Sequence, residues 1–160
     1  MEASQNRLAA RLVRVFTEKG MTLSTAESCT GGLIAKLVTD VPGSSAVLSG
    51  ACVSYTNDVK MRILGVSRSI IESETEVSAA CAMAMAEGAR RLFKTDVAVS
   101  TTGYAGPTGG TARDPVGTVY IGLATPRGTS CVRFSAPQGS SRDEVRTLAA
   151  NRALEEILRE

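Results

Sequence analysis

A chain of 160 residues, 43% hydrophobic and 21% charged, is sized for one domain that buries a core without disulfide or metal staples. Its 18 basic and 16 acidic residues leave a net charge of +2, which gives no reason to expect nucleic-acid or membrane-surface binding by charge. It contains no histidine, so Ser-His and Cys-His relays and His-ligated metals are excluded, and a hydrolytic base must be a lysine, a tyrosine or a carboxylate.

Leu8, Leu12, Val15 and Phe16 recur at helical spacing and predict an amphipathic helix over about residues 3–18, ending at Gly20. Glu2, the dispersed arginines and the lack of a continuous apolar run are unlike a signal peptide. Elsewhere the apolar stretches are too short and broken to span a bilayer, and the chain reads as cytoplasmic. Residues 21–26 read as a short strand, followed by Glu27-Ser28-Cys29-Thr30-Gly31-Gly32 and a second helix marked by Leu33, Ile34, Leu37 and Val38. A Ser or Cys at such a junction lies beside helix-start N–H groups that favour an anion or a developing oxyanion. The same residues also serve as plain helix caps in a tight turn. Neither G-x-x-x-x-G-K nor G-x-G-x-x-G occurs.

Residues 46–55 contain a strand, and 57–64 form a short helical turn closing at Gly65. Tyr55 and Lys60 thereby bring a phenol and an amine to one sheet edge. Lys60 acts as a general base only if its pKa falls from about 10.4 to roughly 7–8, a difference of about 4 kcal/mol that a dry pocket can impose. Taken alone, it reads as an ordinary solvated helix lysine. Ser78 is placed to cap an Ala/Met-rich helix running to about Phe93, which suits either a core or a subunit interface.

Residues 97–101 form a strand, and 103–115 are too rich in Gly and Pro for regular structure. Four glycines within residues 103–110 suit close approach of backbone to a ligand, or a flexible connector. Strands over 116–124 and 130–135 flank a turn at 126–128, and a closing helix starts at Arg142. Arg142 and Arg146 share a face at that helix start, where cations oppose the dipole. A phosphate would relieve the conflict, as would pairing with Asp143 or Glu144. The four cysteines, Cys29, Cys52, Cys81 and Cys131, are scattered and suit reduced thiols, with Cys81 as core filler. This order of elements predicts a single α/β domain over residues 1–160, built on a mixed sheet.

Six segments, TAESCTGG (25–32), VSYTNDVKMRILGV (53–66), VSAACAMAMAEGAR (77–90), AVSTTGYAGPTGGT (98–111), PVGTVYIGLA (115–124) and SRDEVRTLAANRAL (141–154), together resemble the CinA C-terminal-domain family. The resemblance implies a three-layer α/β/α sandwich with a mixed central sheet. In active members it implies hydrolysis of the carboxamide of nicotinamide mononucleotide to the acid and ammonia, without metal or cofactor. It makes Ser28 the nucleophile, Lys60 its base and Tyr55 an assistant, reversing the reading of Lys60 as a solvated residue. Thr102 and Gly103 would line the carboxamide with Tyr104 beside them. Cys29, Thr30 and Gly31 would border the nucleophile, with N–H groups near Thr30-Gly31 for the oxyanion. Arg142 and Arg146 would hold the phosphate. Cys29 is the rival nucleophile, since a thiol at a helix start can have a lowered pKa.

Two positions depart from the family pattern: Tyr104 stands where Ile is more usual, and Ser141 where Asp commonly precedes the arginine. The expected partner is a small molecule, with neither nucleic acid nor membrane, and the expected assembly is a homodimer or larger homo-oligomer. A catalytically silent nucleotide-binding or competence/DNA-damage-associated protein is the alternative function, and an amidase for another small carboxamide is a third.

Overall fold

In the computed structural model, which describes residues 2–160, the predicted N-terminal helix spans Glu2–Lys19 (α1). It buries Leu12, Val13 and Phe16 on one face and leaves Arg7, Arg11 and Arg14 in solvent. The chain continues through β1 (Leu23–Glu27), α2 (Leu33–Thr39), a 3-10 turn at Ser44–Ala46, β2 (Leu48–Val53), α3 (Asn57–Arg62) and α4 (Arg68–Glu74). It then forms α5 (Ala79–Phe93), β3 (Val97–Gly103), β4 (Thr118–Thr125), β5 (Gly128–Ser135) and α6 (Arg142–Leu158).

The five strands form one mixed sheet in the order β2-β1-β3-β4-β5. β1 pairs in parallel with β2 and β3, whereas β4 runs antiparallel to both β3 and β5. Alternation along each strand sends side chains to opposite faces. Leu23, Val97, Val99 and Ile121 join the core formed with α1, α2 and α6, through Phe16, Ile34, Leu154 and Ile157. Ala26 and Ala98 point the other way and pack with Cys81, Met85 and Ala89 of α5. The result is the expected three-layer α/β/α sandwich.

The Ala/Met-rich helix packs one face into the core through Cys81, Ala82, Met85, Ala86, Gly88 and Ala89. Its small residues bring α5 close to the sheet: a Cβ on Gly122 would meet the Ala82 carbonyl and the Ser100 hydroxyl, which itself donates to that carbonyl. Gly88 serves a second approach, since a Cβ there would run into the carbonyl of Leu64, just past α3. This contact fixes the height of α3 above the sheet and therefore the position of Lys60.

Some boundaries differ from the sequence-based expectation. α4 was not predicted because it buries none of its residues and so has no apolar period, although Ser67 caps it by accepting from the Ile70 N–H. β1 extends to Glu27 and β3 to Gly103, because the β1–β3 ladder runs through the pair Glu27–Thr101 and β4 continues alongside Thr102 and Gly103. The parallel strands β1, β2 and β3 all end on one edge, where three loops converge, as in other open α/β sheets with a ligand crevice.

Gly88→Ala tests this packing. In a free helix the change gains about 1 kcal/mol of propensity. Here the added methyl meets backbone that cannot rotate away, so the predicted outcome is a net loss of about 1–3 kcal/mol, read from the urea midpoint. An unchanged or higher midpoint contradicts the close approach of α5 to Leu64.

Candidate functional site

At the end of β1, the carboxylate of Glu27 is fully buried. It accepts hydrogen bonds from the hydroxyls of Thr25 and Thr30 at 3.0 and 2.7 Å, and from the N–H groups of Ile34 and Ala35 at 2.9 and 3.0 Å. Glu27 thus caps α2 from six residues upstream of the helix. This corrects one expectation: the start of α2 is not open to a ligand, because its leading donors are already taken. The Leu33 N–H bonds to the Thr30 carbonyl, and the Gly31 N–H to the Ser28 carbonyl at 3.0 Å. The N–H groups of Cys29 and Thr30 donate no hydrogen bond among the described residues.

Ser28 follows directly. Its N–H continues the ladder by donating to the Thr101 carbonyl at 3.0 Å, so its backbone is fixed to the sheet. The turn behind it needs glycine: Gly31 and Gly32 have φ of 61° and 100°, and a Cβ on Gly31 would stand 3.0 Å from the Arg146 guanidinium.

The Lys60 amine lies 3.1 Å from the Ser28 hydroxyl and donates to the Ser54 carbonyl at 2.8 Å. It is 1% exposed and is the buried residue of α3, so the reading of a solvated helix lysine does not hold. Desolvation pushes its pKa below the ordinary lysine value, and the nearby groups Cys81, Glu76 and Cys29 pull only part of the way back. Ser54 is held in turn, donating its N–H to the Glu27 carbonyl at 2.8 Å.

Cys29 is 6% exposed, and burial pushes its thiol up to about 12. The neighbouring cations Lys60 and Arg146 do not offset that desolvation. At neutral pH it is therefore a protonated thiol, a poor nucleophile, whereas the adjacent Ser28 hydroxyl touches the desolvated Lys60 amine.

Ser28, Cys29, Tyr55 and Lys60 line a cavity of about 350 Å³, with Thr102, Gly103, Tyr104 and Arg142 completing the predicted set around it. Thr30, Gly31 and Arg146 do not line it. Thr30 is fully buried, its hydroxyl held between Glu27 and Thr101. Arg146 donates to the Cys29 and Thr30 carbonyls at 3.0 and 3.2 Å and clamps the turn from behind. Arg142 donates to the Gly106 carbonyl at 2.7 Å and to the Tyr55 hydroxyl at 3.0 Å, tying two loops across the cavity mouth. Among the described residues neither arginine pairs with a carboxylate; both are bound by oxygen atoms of the loops. Tyr55 is 58% exposed, so its phenol belongs to the rim.

The glycine-rich loop is anchored at both ends. The Tyr104 N–H donates to the Thr118 carbonyl and the Gly117 N–H to the Tyr104 carbonyl, at 2.9 and 2.7 Å. Inside it, the buried carboxylate of Asp114 accepts from Tyr120, Arg113 and Arg133. Burial opposes ionisation of Asp114, yet these hydrogen bonds hold its carboxyl below the ordinary value. Glu27, Ser54, Glu76 and Asp114 were not foreseen as site residues. The acidic residue just ahead of a glycine turn was the one available signal, for Glu27. Among the described residues no cluster of three or more His, Cys, Asp or Glu could hold a metal ion, and no helix is long and apolar enough to cross a membrane.

Residues 5–160 match the CinA C-terminal domain. A CinA-like protein of Geobacter sulfurreducens is 46% identical over 154 residues, 96% of this chain and 37% of that protein. The chain thus spans about a third of the length of the curated relatives it matches, at 35% and 37%. The crystal structure of the competence/damage inducible protein CihA from Agrobacterium tumefaciens superposes with a TM-score of 0.94 at 39% identity, covering 98% of this chain and 94% of that one. A competence-damaged protein (CinA) superfamily structure from Escherichia coli gives 0.93 at 30% identity, covering 99% and 91%.

Glu27→Gln replaces an acceptor oxygen by an amide that faces N–H and O–H donors. The predicted loss is about 1–3 kcal/mol of stability, measured by thermal or urea unfolding. Wild-type stability in that variant would mean that the carboxylate is not what caps α2.

Proposed function

The chain belongs to the CinA C-terminal domain family, and from that premise we propose that it is a metal-independent amidohydrolase acting on nicotinamide mononucleotide. The observation that carries the reading is the contact of the Ser28 hydroxyl with a desolvated Lys60 amine inside one cavity. Neutral Lys60 takes the Ser28 proton as the oxygen attacks the carboxamide carbon. The unspent N–H group of Cys29, which lines the cavity, is the donor available to the tetrahedral oxyanion. Protonated Lys60 then returns its proton to the departing nitrogen, which leaves as ammonia, and water hydrolyses the resulting ester with Lys60 again as base. The products are nicotinic acid mononucleotide and ammonia.

Arg142 is the guanidinium at the cavity mouth and, with Tyr55, is the candidate holder of the nucleotide phosphate. Its present bonds to Gly106 and Tyr55 are ones an anion can displace. Arg146 acts through the backbone of the turn and is assigned a positioning role.

Ammonia release from nicotinamide mononucleotide, with and without chelator, tests the activity. Equal release under both conditions is the predicted result; saturable binding without ammonia would instead make the chain a silent nucleotide-binding protein. Ser28→Ala is expected to lower kcat by about 10³-fold or more, and Cys29→Ala by less than about tenfold. Loss of turnover in the cysteine variant alone would overturn the nucleophile assignment. Because the base must be neutral and burial lowers its pKa, kcat/KM should rise with pH and level off below the ordinary lysine value of 10.5. A limb that persists unchanged in Lys60→Met would assign it to another group.

A further inference from the structure

The reaction just described leaves one acidic side chain of the cavity without a task. Glu76 lies in the segment joining α4 to α5, is half-buried, and lines the cavity with Lys60, Thr102 and Tyr104. Its backbone carbonyl accepts the Thr102 hydroxyl at 2.6 Å, so the residue is fastened to the end of β3. Thr75 before it has a φ of 72°, a region seldom occupied by a β-branched residue, and its hydroxyl bonds the Val77 N–H and carbonyl. The carboxylate is thus presented by a fixed backbone.

No protein group satisfies that carboxylate. The ion pairs among the described residues all lie elsewhere, and no hydrogen bond reaches the Glu76 side chain among them. A negative charge here works against both an oxyanion and a phosphate, so with Lys60 neutral as the base its favourable partner is a positive charge carried by the substrate close to the reacting carboxamide. A pyridinium carboxamide carries that charge on its ring nitrogen. Tyr104 packs against the cluster of Val77, Ala82 and Tyr120, lines the same cavity and offers the same cation an aromatic ring. Desolvation raises the Tyr104 pKa and the charge of Glu76 adds to it, which places phenol and carboxylate within electrostatic reach of each other.

We propose that Glu76 is a specificity-determining residue which, with Tyr104, selects cationic heteroaromatic carboxamides over neutral ones of the same shape. This rests on the amidase reading given above.

The test compares nicotinamide mononucleotide, whose ring is a cation, with its 1,4-dihydro form, whose ring is neutral. Phosphate and ribose are identical in the two, so contributions from Arg142 cancel. Wild type is expected to favour the cationic ring by about tenfold or more in kcat/KM and in calorimetric affinity. Glu76→Gln should lose most of that preference, chiefly through a higher KM for the cation, while any change that reaches the reaction through the Lys60 amine falls on both ring forms alike. Glu76→Asp should keep part of it. A variant that weakens both ring forms equally, or shifts the pH profile of both with the preference intact, overturns the proposal by making Glu76 structural or a tuner of Lys60. If wild type releases no ammonia from either form, the amidase reading fails by itself. Affinities then decide Glu76: a cation preference lost in Glu76→Gln supports the assignment, and equal affinity in wild type overturns it.

Discussion

The site depends on an amine that has been removed from water. Lys60 sits on a six-residue helix and is fully enclosed, its nitrogen shared between the Ser28 hydroxyl and the Ser54 carbonyl. An ammonium in that position loses hydration that two hydrogen bonds only partly replace, so the neutral form gains ground. That shift is what the proposed Ser28–Lys60 pair requires of a lysine in a chain without histidine. Each surrounding element can be understood by what it does for that contact. β1 delivers Ser28, the end of β2 delivers Ser54, and the close approach of Gly88 on α5 to Leu64 sets the height of α3.

Behind the contact stands a layer of polar groups whose hydrogen bonds hold backbone. Glu27 gathers two hydroxyls and two helix N–H groups in the interior, and so locks the end of β1 to the start of α2. Arg146 reaches from α6 to the carbonyls of the same turn, and Ser54 bonds back to the carbonyl of Glu27. The turn carrying Ser28 is therefore gripped by α2, α6 and the end of β2 together. Such restraint holds the Ser28 hydroxyl beside the Lys60 amine, as the proposed reaction requires, without ordering cost at the moment of reaction. Arg142 and the glycine-rich loop form the outer boundary, where the guanidinium bonds the carbonyl of buried Gly106 and the hydroxyl of exposed Tyr55.

Helices and strands with a regular apolar period were legible in the chain: α1, α2, α5 and α6 fall where the spacing of their buried residues puts them. α4 was not, because a helix that buries nothing leaves no period to read. Strand ends were blurred by one or two residues, since the ladder, and not local propensity, decides where pairing stops. Lys60 is the instructive case among the site residues. A lone lysine in a polar helical turn carries no local mark of burial, and only resemblance to a family raised it above a surface residue. Glu27 was hidden for a related reason: its partners lie across a glycine turn, and no spacing rule links a carboxylate to N–H groups seven and eight residues on. Both arginines were read as cations in conflict with a helix start, for a phosphate or a carboxylate to relieve; in the structure they bond loop carbonyls and the Tyr55 hydroxyl.

A direct titration of the Lys60 side-chain nitrogen, followed by nitrogen-15 NMR in the intact protein, addresses the physical premise most closely. The account predicts a midpoint clearly below the ordinary 10.5, moving back toward that value when Ser54 and its surroundings are opened to water by partial denaturation. A midpoint at or above the ordinary value in the folded protein would contradict it, because a lysine that keeps its proton cannot serve as the base for Ser28.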